Sequence, residues 1–322
     1  MSEPARPDAR AGGGGASGHP PATGGMPRAS HPLALVAAGL VCAAAPAFFV
    51  ARVPWAGWLL LAAGLAVALL AGRAAGRRDA QAASAGRHRG AAVPVAPAAR
   101  PPGLARDLSL IALGLLVVSS IPLEAELDDA AMLRFTIALG SAVAVPYVVS
   151  RFAFLDRAIR FPWRGGGRWS PLQWGWLGGV LVLGWLLLPF YFIASGSYRN
   201  WPVVDSPDLI ARLFVGVGAV GLWDELFFIC TVFALLRRHF PDWQANLLQA
   251  VVFVSFLWEL GYRSWGPLLT IPFALLQGVV FARTHSLAYV VSVHLLFDAV
   301  VFAVLVHAHN PGLLSWLFLV SP

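Results

Sequence analysis

Two adjacent carboxylates, Asp224 and Glu225, sit inside the apolar run Leu209 to Leu236. A charge at the centre of a membrane helix costs about 2.5–3.5 kcal/mol on insertion scales, so an acid in such a place marks a functional site by default. Later apolar runs carry three more ionisable residues: Glu259, His294 and Asp298. His294 and Asp298 are four apart, so they share a helix face and can bond each other or hold a common ligand. Asp224 and Glu225 point about 100° apart around a helix, so each serves a different neighbour. Carboxylates beside an imidazole in a dry site can divide general-acid and general-base roles, which is the chemistry of hydrolysis. The same groups at mid-depth would also suit a proton- or cation-coupled transporter, and any single one of them can act as hydrogen-bonding glue between helices.

The elements that position these groups are transmembrane helices. The chain has 58% hydrophobic and only 12% charged residues, and its mean hydropathy is +0.70. This composition excludes a water-soluble globule and specifies an all-α, polytopic bundle. The formal charge of +7 comes entirely from arginine and clusters between apolar runs, where it meets anionic headgroups; nucleic acid is not an expected partner. Apolar runs fall at Leu33 to Val50, Trp55 to Ala71, Leu108 to Leu123, Ala131 to Val149, Trp174 to Ala194, Leu209 to Leu236, Ala245 to Leu260, Pro267 to Phe281 and Leu287 to Val306. They predict about eight to nine spanning helices. The run Leu313 to Val320 is too short to cross and is expected to lie at the interface or tuck back on the bundle.

Residues 1–31, rich in Gly, Ala, Pro, Ser and Arg, read as a disordered cytoplasmic tail. A transmembrane pair over 32–72, an Arg/Ala/Pro-rich cytoplasmic linker over 73–107, central helices over 108–207 and a core over 208–322 that carries the polar residues complete the organisation. Arginines accumulate in every second loop, at 73–106, 151–168, 237–238 and 283, whereas Glu124, Glu126, Asp128 and Asp129 lie in an alternate loop. The bias predicts an integral membrane protein, of a bacterial cytoplasmic membrane, with its amino terminus inside and its carboxyl terminus outside.

That topology allows depths to be counted. Glu225 lies twelve residues before Arg237, about 18 Å from the Arg-rich end. Glu259 lies thirteen residues after Asn246, about 20 Å in, and His294 eleven after Arg283, about 16 Å in. Asp298 is one turn deeper. Polar residues from three helices thus converge on one level, which predicts a shared site. Gly216, Gly218 and Gly221 are expected to let a neighbouring helix approach closely. Gln249 and Gln277 read as interhelical bonds, and His285, His307 and His309 as interfacial or solvated. Trp55, Trp58, Trp174, Trp176, Trp201 and Trp316 read as an interfacial belt. Cys42 and Cys230 have no spacing that suggests a disulfide or a zinc site.

The order of an acidic pair, then "SFLWELGY", then "RTHSLAYVVSVHLLFD" resembles the CPBP group of intramembrane proteases, also called Abi or CAAX-prenyl endopeptidase-like proteins. The resemblance covers residues 208–310. That family shows EExxxR, FxxxH and HxxxN or HxxxD on separate helices. The third motif is present here as His294 and Asp298. In the first, Asp224 and Glu225 hold the acidic positions and Ile229 the arginine position. In the second, Ser255 stands for the phenylalanine and Glu259 for the histidine. The resemblance implies endopeptidase activity on a membrane protein or peptide, with Asp224, Glu225, Glu259, His294 and Asp298 as the catalytic set. It leaves open a divalent metal such as zinc, for which Glu225, Glu259, His294 and Asp298 are the candidate ligands, or no cofactor. The missing Arg and second His suit a different outcome, a non-catalytic relative that binds a membrane peptide or lipid as a scaffold.

Overall fold

The computed structural model describes residues 32–87, 103–165 and 167–322; the tail expected over 1–31 lies outside them. The described residues form nine helices and no strands. They are α1 (Pro32–Ala45), α2 (Pro54–Arg87), α3 (Leu104–Val118), α4 (Asp129–Val148), α5 (Pro171–Pro189), α6 (Pro207–Asp224), α7 (Asp242–Leu260), α8 (Pro267–Thr284) and α9 (Leu287–His309). Short π-helical stretches prolong α1, α4 and α5, and a longer one, Glu225–Phe233, carries α6 on to Ala234–Leu236. Seven of these rods are long and apolar enough to cross a membrane. The chain is therefore an integral, polytopic helical bundle in contact with lipid. α3, of 15 residues, and α7, with an acid in each terminal turn, complete it.

Helix starts follow local chemistry. Asp128 caps α4 by accepting from Ala131 N at 2.9 Å, and Ser170 and Gln173 form a reciprocal capping box at α5. Pro171, Pro207 and Pro267 occupy first helical positions, where a missing N–H costs nothing. α2 runs well past its expected end: the sequence after Ala71 is rich in Ala and Arg and holds no proline before Pro94, so nothing stops the helix before Arg87.

Bonds between loops define the two ends of the bundle. At the Arg-rich end, Arg238 donates to Asp107 Oδ1 at 2.9 Å and pairs with Asp156 Oδ2 at 2.7 Å, while His239 Nε2 lies 2.7 Å from Asp107 Oδ2. Leu287 N donates to Pro162 O at 2.9 Å at the same end. At the opposite end, Arg52 Nε donates to Glu259 Oε2 at 3.0 Å and Nη2 to Glu124 Oε1 at 3.4 Å. Asn200 there donates to Gly261 O at 3.1 Å, and Asn310 to Val204 O at 2.6 Å.

The carboxyl-terminal run does tuck back. Trp185 Nε1 donates to Leu317 O at 2.7 Å, and His307 Nε2 lies 3.1 Å from Val320 O. His307 is therefore buried, against the expectation that it is interfacial, because the returning segment covers it. Trp201 departs from the belt in the same way: it packs edge-on to Phe192 and Tyr262 in the interior, whereas Trp55, Trp58, Trp174 and Trp316 are exposed.

Candidate active site

The site begins where α6 changes pitch. Asp224 is the last residue of its α-helical part and Glu225 the first of the π-helical stretch, so the wider turn separates the two acids. Trp223, just before them, donates from Nε1 to Leu139 O of α4 at 2.6 Å and stacks on Phe227 at 5.0 Å, which fixes the register. α9 runs alongside. Gly221 makes this possible: a Cβ there would collide with Asp298 Oδ2 and reach His294 Cδ2 at 3.4 Å. Gly216 and Gly218 have nothing within 4 Å of an added Cβ, so of the three glycines only Gly221 serves the close approach.

His294 is the centre. Its Nδ1 lies 2.7 Å from Glu225 Oε1. Gln277 Nε2 donates to that same Glu225 oxygen at 2.6 Å and to Val290 O at 3.2 Å, so a residue read as interhelical glue also anchors the acid. The other ring nitrogen, Nε2, lies 3.6 Å from Asp224 Oδ2 and 3.8 Å from Asp298 Oδ1. Phe273, edge-on at 4.9 Å, and Phe253, at 6.0 Å, wall the imidazole. All four ionisable residues are at most 7% exposed. Asp224 Oδ1, Glu225 Oε2, Asp298 Oδ2 and Gln277 Oε1 are buried without a hydrogen-bond partner, so the site keeps acceptors for molecules that enter it.

A cavity of about 310 Å³ reaches this cluster from between α4 and α6. Asp224, His294 and Asp298 line it, among mostly apolar walls that include Leu139, Val220, Leu260 and Phe297. Glu225 is not among the lining residues; it stands behind the imidazole.

Glu259 does not join the other four. It ion-pairs with Arg52 at 2.9 Å at the far end of the bundle, next to Glu124. The reason is length: α7 starts at Asp242, so Glu259 lies seventeen residues from its first position, about 26 Å along the helix and past the level of the site. Its carboxylate holds the Arg52 guanidinium above the ordinary arginine value, first through the hydrogen bond and then through charge. The described residues do not form a zinc site. With Glu259 elsewhere and His294 Nδ1 engaged by Glu225, no three His, Cys, Asp or Glu side chains among the described residues are arranged to hold a metal ion.

Residues 206–300 match the family model described as Rce1-like, type II CAAX prenyl endopeptidase Rce1-like. This segment belongs to the CPBP family. The CPBP segment contains Asp224, Glu225, Gln277, His294 and Asp298, and at family level it is that of a CAAX-type intramembrane endopeptidase. No curated protein and no solved structure matches the chain. Where the CPBP pattern has arginine, Ile229 is a buried apolar side chain.

Proposed function

We propose that this chain hydrolyses peptide bonds of membrane-associated peptides or proteins, with His294 as general base on a face shared with Asp224 and Asp298. The observation that carries this reading is the polarity of the imidazole: one nitrogen is held from behind by Glu225, and the other is presented to a cavity between two carboxyl groups. Nδ1–H donating to Glu225 leaves the Nε2 lone pair free. Nε2 then takes a proton from water as the water oxygen bonds to the scissile carbonyl carbon. The tetrahedral adduct expels the amine as the C–N bond breaks, and the proton that the imidazolium took from water passes to the leaving nitrogen. The products are a carboxylate and an amine. Glu225 is a positioning residue here, and Gln277 positions Glu225. The apolar cavity walls suit a lipid-soluble chain better than a hydrated one. On this reading the Arg-rich end, and the amino terminus with it, faces the cytoplasm, as the arginine bias of the loops favours.

Ile229 at the arginine position favours a second reading, a relative that binds membrane peptides without cutting them. Both are tested with purified protein in proteoliposomes, supplied with prenylated CAAX-type peptides and with unmodified apolar peptides, and read by mass spectrometry. Cleavage of at least one substrate is expected, and Asp224→Asn should slow it by about 10²-fold or more. A wild-type protein that binds these peptides and cuts none establishes the second reading.

Glu259 receives the opposite expectation. Its partner Arg52 is half exposed, so Glu259→Gln should cost at most about 1 kcal/mol of stability. Cleavage should stay within about threefold of wild type, because the side chain does not face the cavity. A large drop in kcat with unchanged thermal stability would return Glu259 to the catalytic set.

A further inference from the structure

We infer that Tyr262 is a further catalytic residue, whose hydroxyl donates a hydrogen bond to the scissile carbonyl oxygen as it becomes an oxyanion. This rests on the hydrolytic reading above. The chemistry needs such a donor, and the groups around His294 do not provide one. The Asp224 and Asp298 carboxylates are acceptors when ionised, His294 serves as base, and the Gln277 amide is already committed to Glu225 and Val290 O.

Tyr262 is delivered to the cavity by the end of α7. Gly261 closes the helix at φ 128°, a backbone conformation open to glycine, and Tyr262 N returns to Leu257 O at 2.9 Å. The turn parts two residues close in sequence: Glu259 goes out to Arg52, and Tyr262 lines the same cavity as Asp224, His294 and Asp298. The ring is fixed on three sides, parallel to Tyr191 at 6.2 Å and edge-on to Phe192 at 5.6 Å and Trp201 at 5.7 Å. The residue is 5% exposed, yet its hydroxyl makes no hydrogen bond to any described residue. Buried phenols usually find a partner. Here the polar atom is left for whatever occupies the cavity. Burial, reinforced by the charges of Asp298, Tyr191 and Asp224, holds this phenol well above its ordinary value, so it stays a donor across the working pH range.

Tyr262→Phe removes one oxygen and keeps the packing. It should lower kcat by about 10²–10³-fold, the usual cost of one oxyanion donor, with KM changed by less than about threefold and thermal stability retained. Inhibition by a phosphonamidate peptide, which mimics the tetrahedral adduct, should weaken by the same factor, while binding of an uncleavable ground-state peptide should not. Ser292→Ala, at a hydroxyl that donates to Ala288 O at 2.8 Å and does not line the cavity, should leave kcat unchanged. The inference is overturned if Tyr262→Phe cuts at the wild-type rate, if its loss of activity tracks an equal loss of stability, or if Ser292→Ala lowers kcat as far as Tyr262→Phe does. In each of these the wild type still cleaves; a wild type that cleaves nothing refutes the hydrolytic reading itself.

Discussion

His294→Asn is expected to lower kcat/KM by about 10²–10⁴-fold, the range of a lost general base, with the protein still folded. Asparagine is the informative replacement. Its amide nitrogen falls near the imidazole Nδ1 and can keep the bond to Glu225 Oε1, while the nitrogen that lies between Asp224 and Asp298 disappears. His294→Ala removes both, and opens a hole against Phe253 and Phe273, so it should be as inactive and less stable. Steady-state cleavage and thermal midpoints of both variants separate the two contributions. Activity of His294→Asn within tenfold of wild type would show that the proton is taken elsewhere.

The second large effect concerns stability. Asp107→Ala should destabilise the protein by about 3 kcal/mol, the lower end for a broken buried ion pair, because Arg238 keeps its second partner, Asp156. Asp107 is 3% exposed and receives both Arg238 and His239, so it joins α3 to the turn after α6 and, through Arg238, to the segment after α4. The expected fall in thermal midpoint is about 6–10 °C. Arg134, whose pair with Glu126 is largely exposed, supplies the baseline. A shift at Asp107→Ala no larger than at Arg134→Ala would mean that the cluster holds nothing together.

How much of this was legible in the sequence depended on where helix registers could be counted. His294, Asp298 and Glu225 sit in runs bounded by arginine on one side, so about 1.5 Å per residue placed them at one level, and they meet. Glu259 was counted from Asn246 although α7 starts four residues earlier at Asp242, and that single turn moved it from the site to the far surface. Its true partner, Arg52, lies 207 residues away and leaves no local trace. Asp107 was lost at the seam between a linker and a span; a lone acid among Arg100 and Arg106 at a helix start was the available sign. Tyr262 follows a helix-ending glycine, where periodicity has nothing to say about side-chain direction.

The length of α2 has a practical side. Its 34 residues exceed the 24-residue membrane span by ten, about 15 Å of helix continuing in water beyond Arg77. For a membrane protein of 34.3 kDa, that projection is an alignment handle. A small soluble domain fused in helical register after Arg77 would stand clear of the micelle and report the orientation of every particle in an electron micrograph.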